Sequence, residues 1–183
     1  MTIYLIIITL TVLFSMLFIG IMLSNIIAIF TTDVPFVSIS NSVIEKIVKN
    51  LELRDANVLY DLGCGDARLL INAVNSFPSI KAVGVEVAFY PYLLAKFKTR
   101  NYKQIEIKRE DIYETKISNA THIFMYLYPS VVNKLIHNVE KQCKEGTKII
   151  SCDFEINSYK PSKIIELNSN GSKLCKKIFV YSL

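Results

Sequence analysis

The chain has 183 residues, with 21 Lys and Arg against 16 Asp and Glu, giving a formal net charge of +5. Residues 1–32 contain no charged side chain, so every charge lies in residues 33–183. That remainder suits one domain with its own core and excludes two. The four cysteines, Cys64, Cys143, Cys152 and Cys175, form no Cys-x-x-Cys pair and have no His at ligand spacing. No metal site is expected, and scattered, unpaired thiols suit a reducing compartment. His122 and His137 are isolated and read as structural.

The first element is an apolar run from Ile3 to Phe30. As a helix at ~1.5 Å per residue it would reach about 42 Å, more than the roughly 30 Å of a hydrocarbon core. It has no basic start and no small-x-small cleavage site, and it is too long for a signal peptide, so a retained single-pass anchor is expected. The expected division is an anchor over 1–32 and a domain over 33–183. Lys46, Lys49 and Arg54 follow the span and no charge precedes it. The positive-inside rule then places the domain in the cytoplasm, where its net charge suits anionic lipid. The sequons at Asn119 and Asn170 would be silent there.

Thr31 to Ser40 reads as a connector. Val43, Ile44, Ile47, Val48 and Leu51 fall at helical spacing, which predicts a helix over 41–51 capped by Ser40 or Asn41. Strands and helices then alternate. Strands are predicted over 57–61, 81–86, 105–108, 122–127 and 147–152, with helices over 67–75, 92–101 and 130–143. The helix over 92–101 carries Lys96, Lys98 and Arg100 on its outer part. Two last strands, over 163–167 and 178–182, flank a turn at Gly171. This order implies an α/β fold, a mostly parallel sheet with helices on both faces and an antiparallel last strand.

The chemistry is concentrated in Val58-Leu-Tyr-Asp61-Leu-Gly63-Cys64-Gly65-Asp66-Ala67-Arg68. A hydrophobic strand ends in an acid and turns through two glycines into a helix. Ligands of open α/β sheets sit at such a strand end, and glycines let them approach the backbone. The third glycine of a dinucleotide fingerprint is replaced by Arg68, and the phosphate-binding Gly-Lys pair is missing. A pyrophosphate would also face Asp61 and Asp66. S-adenosylmethionine (SAM) has no phosphate and carries an ammonium and a sulfonium, which acids favour. Glu86 stands at the end of the second strand, 21 residues after Gly65, where a carboxylate accepts from both ribose hydroxyls. Asp111, after the third strand, can accept from the adenine amino group. Asp61, Gly63, Cys64, Gly65, Asp66, Glu86 and Asp111 are the expected cofactor-binding residues. Asp66 and Asp111 also read as helix caps.

The glycine turn with the acid after the second strand resembles the Rossmann-like sheet of class I SAM-dependent methyltransferases. Four shorter signals narrow the resemblance: Val34-Pro35-Phe36-Val37, Tyr126-Leu127-Tyr128-Pro129, Ser151-x-x-Phe154 with Tyr159-x-Pro161, and Val180-Tyr181. They are similar to segments of the membrane-anchored protein-lysine methyltransferases of mitochondria, which act on the ATP synthase c subunit and the adenine nucleotide translocator, and of their prokaryotic relatives. The resemblance covers residues 33–183. It departs at Ala67, where that family has Gly, at Tyr159, where it has Trp, and at Asp153, where it has a basic residue.

The resemblance implies a SAM-dependent protein-lysine methyltransferase with a membrane-protein substrate and a bilayer contact through residues 3–30. A lysine must lose its proton before it attacks, and a desolvated mouth lined by Tyr126, Tyr128 and Tyr159 would favour the neutral amine. Tyr126 and Tyr128 are the candidate catalytic residues, orienting the acceptor from the end of the fourth strand; packing is the other reading of both. A lipid, quinone or other small acceptor, or a non-catalytic SAM-binding scaffold, would suit an anchor equally. Nucleic acid is not expected, because aromatics are sparsely interleaved in the basic stretch from Lys96 to Arg109.

Overall fold

A computed structural model describes residues 1–31, 39–167 and 174–183, with side chains at all of these except 24, 25 and 27–31. The expected connector with Pro35, the boundary at 32–33 and the turn at Asn170 and Gly171 lie outside the described residues. Twelve elements are described: α1 (Thr2–Thr31), α2 (Asn41–Asn50), β1 (Val58–Leu62), α3 (Arg68–Ser76), β2 (Lys81–Val85), α4 (Phe89–Thr99), β3 (Ile105–Lys108), β4 (His122–Met125), α5 (Pro129–Gln142), β5 (Lys148–Cys152), β6 (Lys163–Glu166) and β7 (Lys177–Ser182).

The seven strands form one sheet in the order β3-β2-β1-β4-β5-β7-β6. β1 to β5 pair in parallel, and β7 runs antiparallel to both β5 and β6. The antiparallel last strand expected from the sequence is therefore present, inserted between β5 and β6.

Side chains alternate across the sheet as a period of two requires. Leu59, Ala82, Ile107, Phe124 and Ile150 pack on one face against Val43 and Ile47 of α2, Leu70 and Ala73 of α3 and Ala95 of α4. Tyr60, Leu62, Val83, Ile123 and Ile149 pack on the other against Val131, Val132, Leu135 and Val139 of α5. Being covered on both faces explains why these strands read as continuous apolar runs.

Two helices begin earlier than the apolar spacing suggests, and proline is the reason. α4 starts at Phe89 because Pro91 sits in its first turn, where no backbone N–H is required. α5 starts at Pro129 for the same reason. The expectation that Lys98 lies on the outer part of its helix is corrected: its ammonium turns in to Asp66 at 2.6 Å.

The reading of four unpaired cysteines is also corrected. The end of β5 and the chain entering β7 are neighbours in the antiparallel pairing, which brings Cys152 and Cys175 to a Cα–Cα distance of 5.6 Å and into a disulfide. Closing a separation of 23 residues constrains the unfolded chain by roughly 3 kcal/mol on a loop-entropy account. Cys64 is a buried free thiol and Cys143 a half-buried one.

α1 stands apart from this core. Its stretch Thr2–Leu23 is long and apolar enough to cross a membrane, and none of it is buried inside the protein. A helix apolar on all sides whose membrane-length stretch is left unburied is unlike a core helix.

Gly84 fixes how closely the first two strand exits pack. A Cβ there would lie 2.7 Å from Cys64 Sγ, 2.8 Å from Leu70 Cδ1 and 2.9 Å from Ile107 Cδ1. All three atoms belong to buried side chains, so the methyl overpacks the core. Gly84→Ala should destabilise the protein by about 1–3 kcal/mol. Chemical unfolding of the full chain in detergent measures this, and an unchanged midpoint would contradict the tight packing.

Candidate active site

The site lies at the carboxyl ends of β1, β2 and β4. Past Leu62 the chain turns through Gly63, with φ +84°, and Gly65, with φ +56°, both left-handed conformations that glycine adopts without strain. The N–H groups of Gly63 and Cys64 both donate to the carbonyl of Val85, at 2.9 and 3.0 Å. Ala67 also adopts a left-handed conformation, with φ 63°, and is fully buried. Ala67 thus keeps the turn where a Gly would take this conformation without cost, at some backbone strain.

Three acids surround the turn, and each is accommodated differently. Asp61 is buried, and its carboxyl is pushed up to about 8, first by burial and then by the charges of Glu86 and Asp66. It is therefore largely protonated at neutral pH. Asp66 is buried too, which alone would raise its carboxyl, but Lys98 at 2.6 Å and Arg68 at 3.0 Å outweigh burial and hold it below the usual carboxylate range. Glu86 is raised by burial, against the pull of backbone N–H groups. Its Oε2 accepts from Gly65 N–H at 3.0 Å and its Oε1 from Ala88 N–H at 2.9 Å. Asp111 is exposed; its Oδ1 accepts from Tyr113 N–H at 2.9 Å, a local turn-capping bond. Phe89 lies under the Arg109 guanidinium, 5.0 Å from its ring centroid, beside the exit from β2.

The segment after β4 adjoins the glycine turn through Leu127: a Cβ on Gly63 would lie 3.0 Å from Leu127 Cδ2. Phe154 joins the two tyrosines, with ring centroids 6.4 Å from Tyr126 and 6.3 Å from Tyr128. Tyr128 is the outermost of the three at 43 % exposure. Tyr159 packs against the core on the α5 side.

Tyr126 donates its hydroxyl to Asp153 Oδ2 at 3.2 Å. Asp153 also accepts from the N–H groups of Cys175, Lys176 and Lys177 at 2.8, 2.6 and 3.1 Å. Burial, followed by the Asp153 charge, raises Tyr126 above the ordinary phenol range, so it stays a neutral hydroxyl. The two residues that sequence reasoning underrated here are Asp153 and Phe154. Asp153 was visible only as a departure from a basic residue, and its three backbone donors come from a strand more than twenty positions away.

Of the histidines, His122 is buried at the amino end of β4, away from this edge, and burial pushes its imidazole down to about 4. His137 is exposed on α5 beside Glu140. Both occupy structural positions. Among the described residues, Cys152, Asp153 and Cys175 are the group whose ligand atoms come close enough for a metal. The disulfide and the four hydrogen bonds to Asp153 already occupy them.

A glycine turn with no phosphate-binding lysine, ringed by acids and followed by a carboxylate at the second strand end, fits a ligand with an ammonium and a ribose diol. With the strand order 3-2-1-4-5-7-6 it defines a class I SAM-dependent methyltransferase. Comparison with known proteins agrees. The ANTKMT methyltransferase domain model matches residues 61–163, and the chain belongs to that family. The chain is 31% identical over 145 residues to a protein-lysine N-methyltransferase of Saccharolobus islandicus (strain REY15A), covering 78% of this chain and 90% of that one. It is 22% identical over 138 residues to the adenine nucleotide translocase lysine N-methyltransferase of Mus musculus, covering 73% and 58%. An RNA methyltransferase from Salinibacter ruber, solved with S-adenosyl-L-homocysteine, superposes with a TM-score of 0.73 at 26% identity, over 80% of this chain and 93% of that one. The protein is a SAM-dependent methyltransferase.

The state of Asp61 gives a direct test. A cation seated beside it favours the ionised carboxylate, so ligand binding at pH 7 should expel about one proton per SAM bound. Affinity should therefore rise as pH approaches 8. By the same linkage, a carboxyl raised from 3.8 to about 8 on folding stabilises the unliganded fold at acid pH, and this contribution is lost as pH climbs through 8. Calorimetry in buffers of different ionisation enthalpy counts the proton. Asp61→Asn should abolish its release, and a wild-type protein that releases none would show that Asp61 does not face the cation.

Proposed function

We propose that the chain is a protein-lysine N-methyltransferase acting on a membrane-associated protein. The observation that carries this reading is the Tyr126–Phe154–Tyr128 ring group on the segment that meets the glycine turn through Leu127. Its support is the protein-lysine activity named for the 31% identical relative.

Residues 1–32 are assigned as a single-pass anchor and 33–183 as the catalytic domain. The uncovered apolar face of α1 supports that division, since so much exposed hydrocarbon is unfavourable in water. The charge asymmetry about the span favours a domain on the cytoplasmic side. The Cys152–Cys175 disulfide belongs more naturally to an oxidising compartment, so accessibility of engineered surface thiols in intact cells is the measurement that decides orientation.

In this reading SAM supplies an electrophilic methyl on a sulfonium, and the chain supplies position and environment. Gly63, Cys64 and Gly65 leave room for the cofactor at the strand end. Asp61 faces its amino-acid end, and Glu86, oriented by Gly65 and Ala88, accepts from the ribose hydroxyls. Asp111 stands at the adenine end. Asp66 holds the turn through Lys98 and Arg68. The three aromatic rings keep water from the acceptor mouth, which favours an uncharged lysine amine. With its proton committed to Asp153, the Tyr126 hydroxyl presents its oxygen lone pairs, so it can accept from an amine N–H and aim the nitrogen lone pair at the methyl.

The full chain incubated with tritiated SAM and membranes of its own host should label a protein band, with the site on a lysine by mass spectrometry. Glu86→Ala should weaken SAM binding by about 10- to 100-fold, as expected for loss of hydrogen bonds to a charged group. Tyr126→Phe should leave SAM binding unchanged and lower turnover by roughly 10-fold or more. Label confined to the lipid extract would assign a lipid or quinone acceptor instead, and label in RNA would overturn the protein substrate altogether.

A further inference from the structure

The outward face of α4 is apolar where a soluble helix would be polar. At ~100° per residue, Pro91, Ala95 and Thr99 turn inward and are buried, while Phe89, Tyr90, Leu93, Lys96, Phe97 and Arg100 share the opposite side. Tyr90 and Leu93 are each 46 % exposed and Phe97 is 63 % exposed, with α1 in place. Lys96 and Arg100 run along one edge of this stripe. Arg100 folds over the Phe97 ring, its guanidinium carbon 4.1 Å from the centroid, and donates to the Phe97 carbonyl at 2.7 Å. From Val87 to Ile105 there is no acidic residue, and Lys103 adds a further exposed cation beyond the helix. α1 packs against this same helix.

We infer that the α4 face lies on the bilayer as a second, peripheral contact, with Tyr90, Leu93 and Phe97 entering the interfacial layer and Lys96, Arg100 and Lys103 meeting anionic headgroups. Apolar and aromatic side chains bordered by long cations match the chemistry of that layer, where rings sit at headgroup level and cationic stems snorkel. The neighbouring apolar helix holds the face near the membrane, so the inference rests on α1 being the anchor. A nucleic acid would reward the cations but not an outward leucine. α4 begins three residues after Glu86, so a docked α4 sets the cofactor turn, and the acceptor mouth beside it, close to the membrane surface. It thereby defines the substrate class as lysines at the bilayer interface.

The test places one fluorophore at a time on the full chain in a Cys143→Ser background, reconstituted into vesicles of phosphatidylcholine and phosphatidylserine. The lipids carry a nitroxide quencher high on the acyl chain. Labels go at Leu93→Cys on α4, at His137→Cys on α5 across the sheet, and at Leu10→Cys on α1. Position 93 should be quenched several-fold more than position 137. That difference should fall with added salt, with phosphatidylcholine alone, and in the Lys96→Glu/Arg100→Glu variant. Equal quenching at 93 and 137 overturns the inference. So does shielding of 93 that follows protein concentration and not lipid, which would assign the face to a second copy of the chain. Position 10 reports the anchor separately: strong quenching there with none at 93 leaves the span standing and removes the docked face. Weak quenching at 10 removes the span, and α4 is still judged by position 93.

Discussion

The carbonyl of Val85 and the carboxylate of Glu86 hold the exits of β1 and β2 together. Gly63 and Cys64 donate to the first, Gly65 and Ala88 to the second. Four consecutive decisions of the backbone depend on these bonds: where β1 stops, how the turn curves, where α3 begins and where α4 begins. The bonds form because Gly84 leaves room for the Cys64 and Leu70 side chains against β2 and because Gly63 and Gly65 take left-handed conformations. A side chain at any of the three would move the floor of the site, not merely crowd it. Glu86 is thus positioned by the backbone it organises, which keeps its remaining lone pairs in a fixed direction.

The protein carries its densest acidity at this turn although the chain as a whole is basic. Three carboxyls near one another cannot all remain ionised in a half-buried setting. The conflict is resolved separately for each: Asp61 keeps its proton, Asp66 is neutralised by two cations, and Glu86 is solvated by backbone N–H groups. The outcome is a site of low net charge; on the proposed placement of the cofactor, a cation beside Asp61 would draw off its proton, and the attraction would be developed by the ligand itself.

Much of the fold was legible in the sequence because buried strands and amphipathic helices write their periods plainly. β3 lies at the expected residues, and the other elements moved at one or both ends by one to three positions, most at the start of α4, where proline in a first turn reads as a stop rather than a start. The glycine turn was legible because Asp61 to Asp66 is one uninterrupted segment, whereas the bonds of Glu86 to Gly65 and Ala88 needed the strand pairing. The aromatic group was legible only in part, since Tyr126, Asp153, Phe154 and Cys175 come from three strand ends. Asp153 gains its meaning from donors at 175–177, and Cys152 its partner, only through the β5–β7 pairing. Knowledge of the strand order would have supplied both. The fate of Lys98 turned on a smaller matter, the roughly half turn of helix that separates it from Lys96 and Arg100.

The position of β7 in the sheet has a consequence for synthesis. β6 is made before β7, but it pairs only with β7, which must first lie down beside β5. As the chain emerges, the order 3-2-1-4-5 can assemble with the cofactor turn already shaped, while β6 waits as an unpaired ribbon. β7 then installs two strands at once, while the residues from Cys175 to Lys177 meet Cys152 and deliver the three N–H groups that hold Asp153. The cofactor turn can therefore be shaped before the hydrogen bonds that fix Asp153, and through it Tyr126, are made.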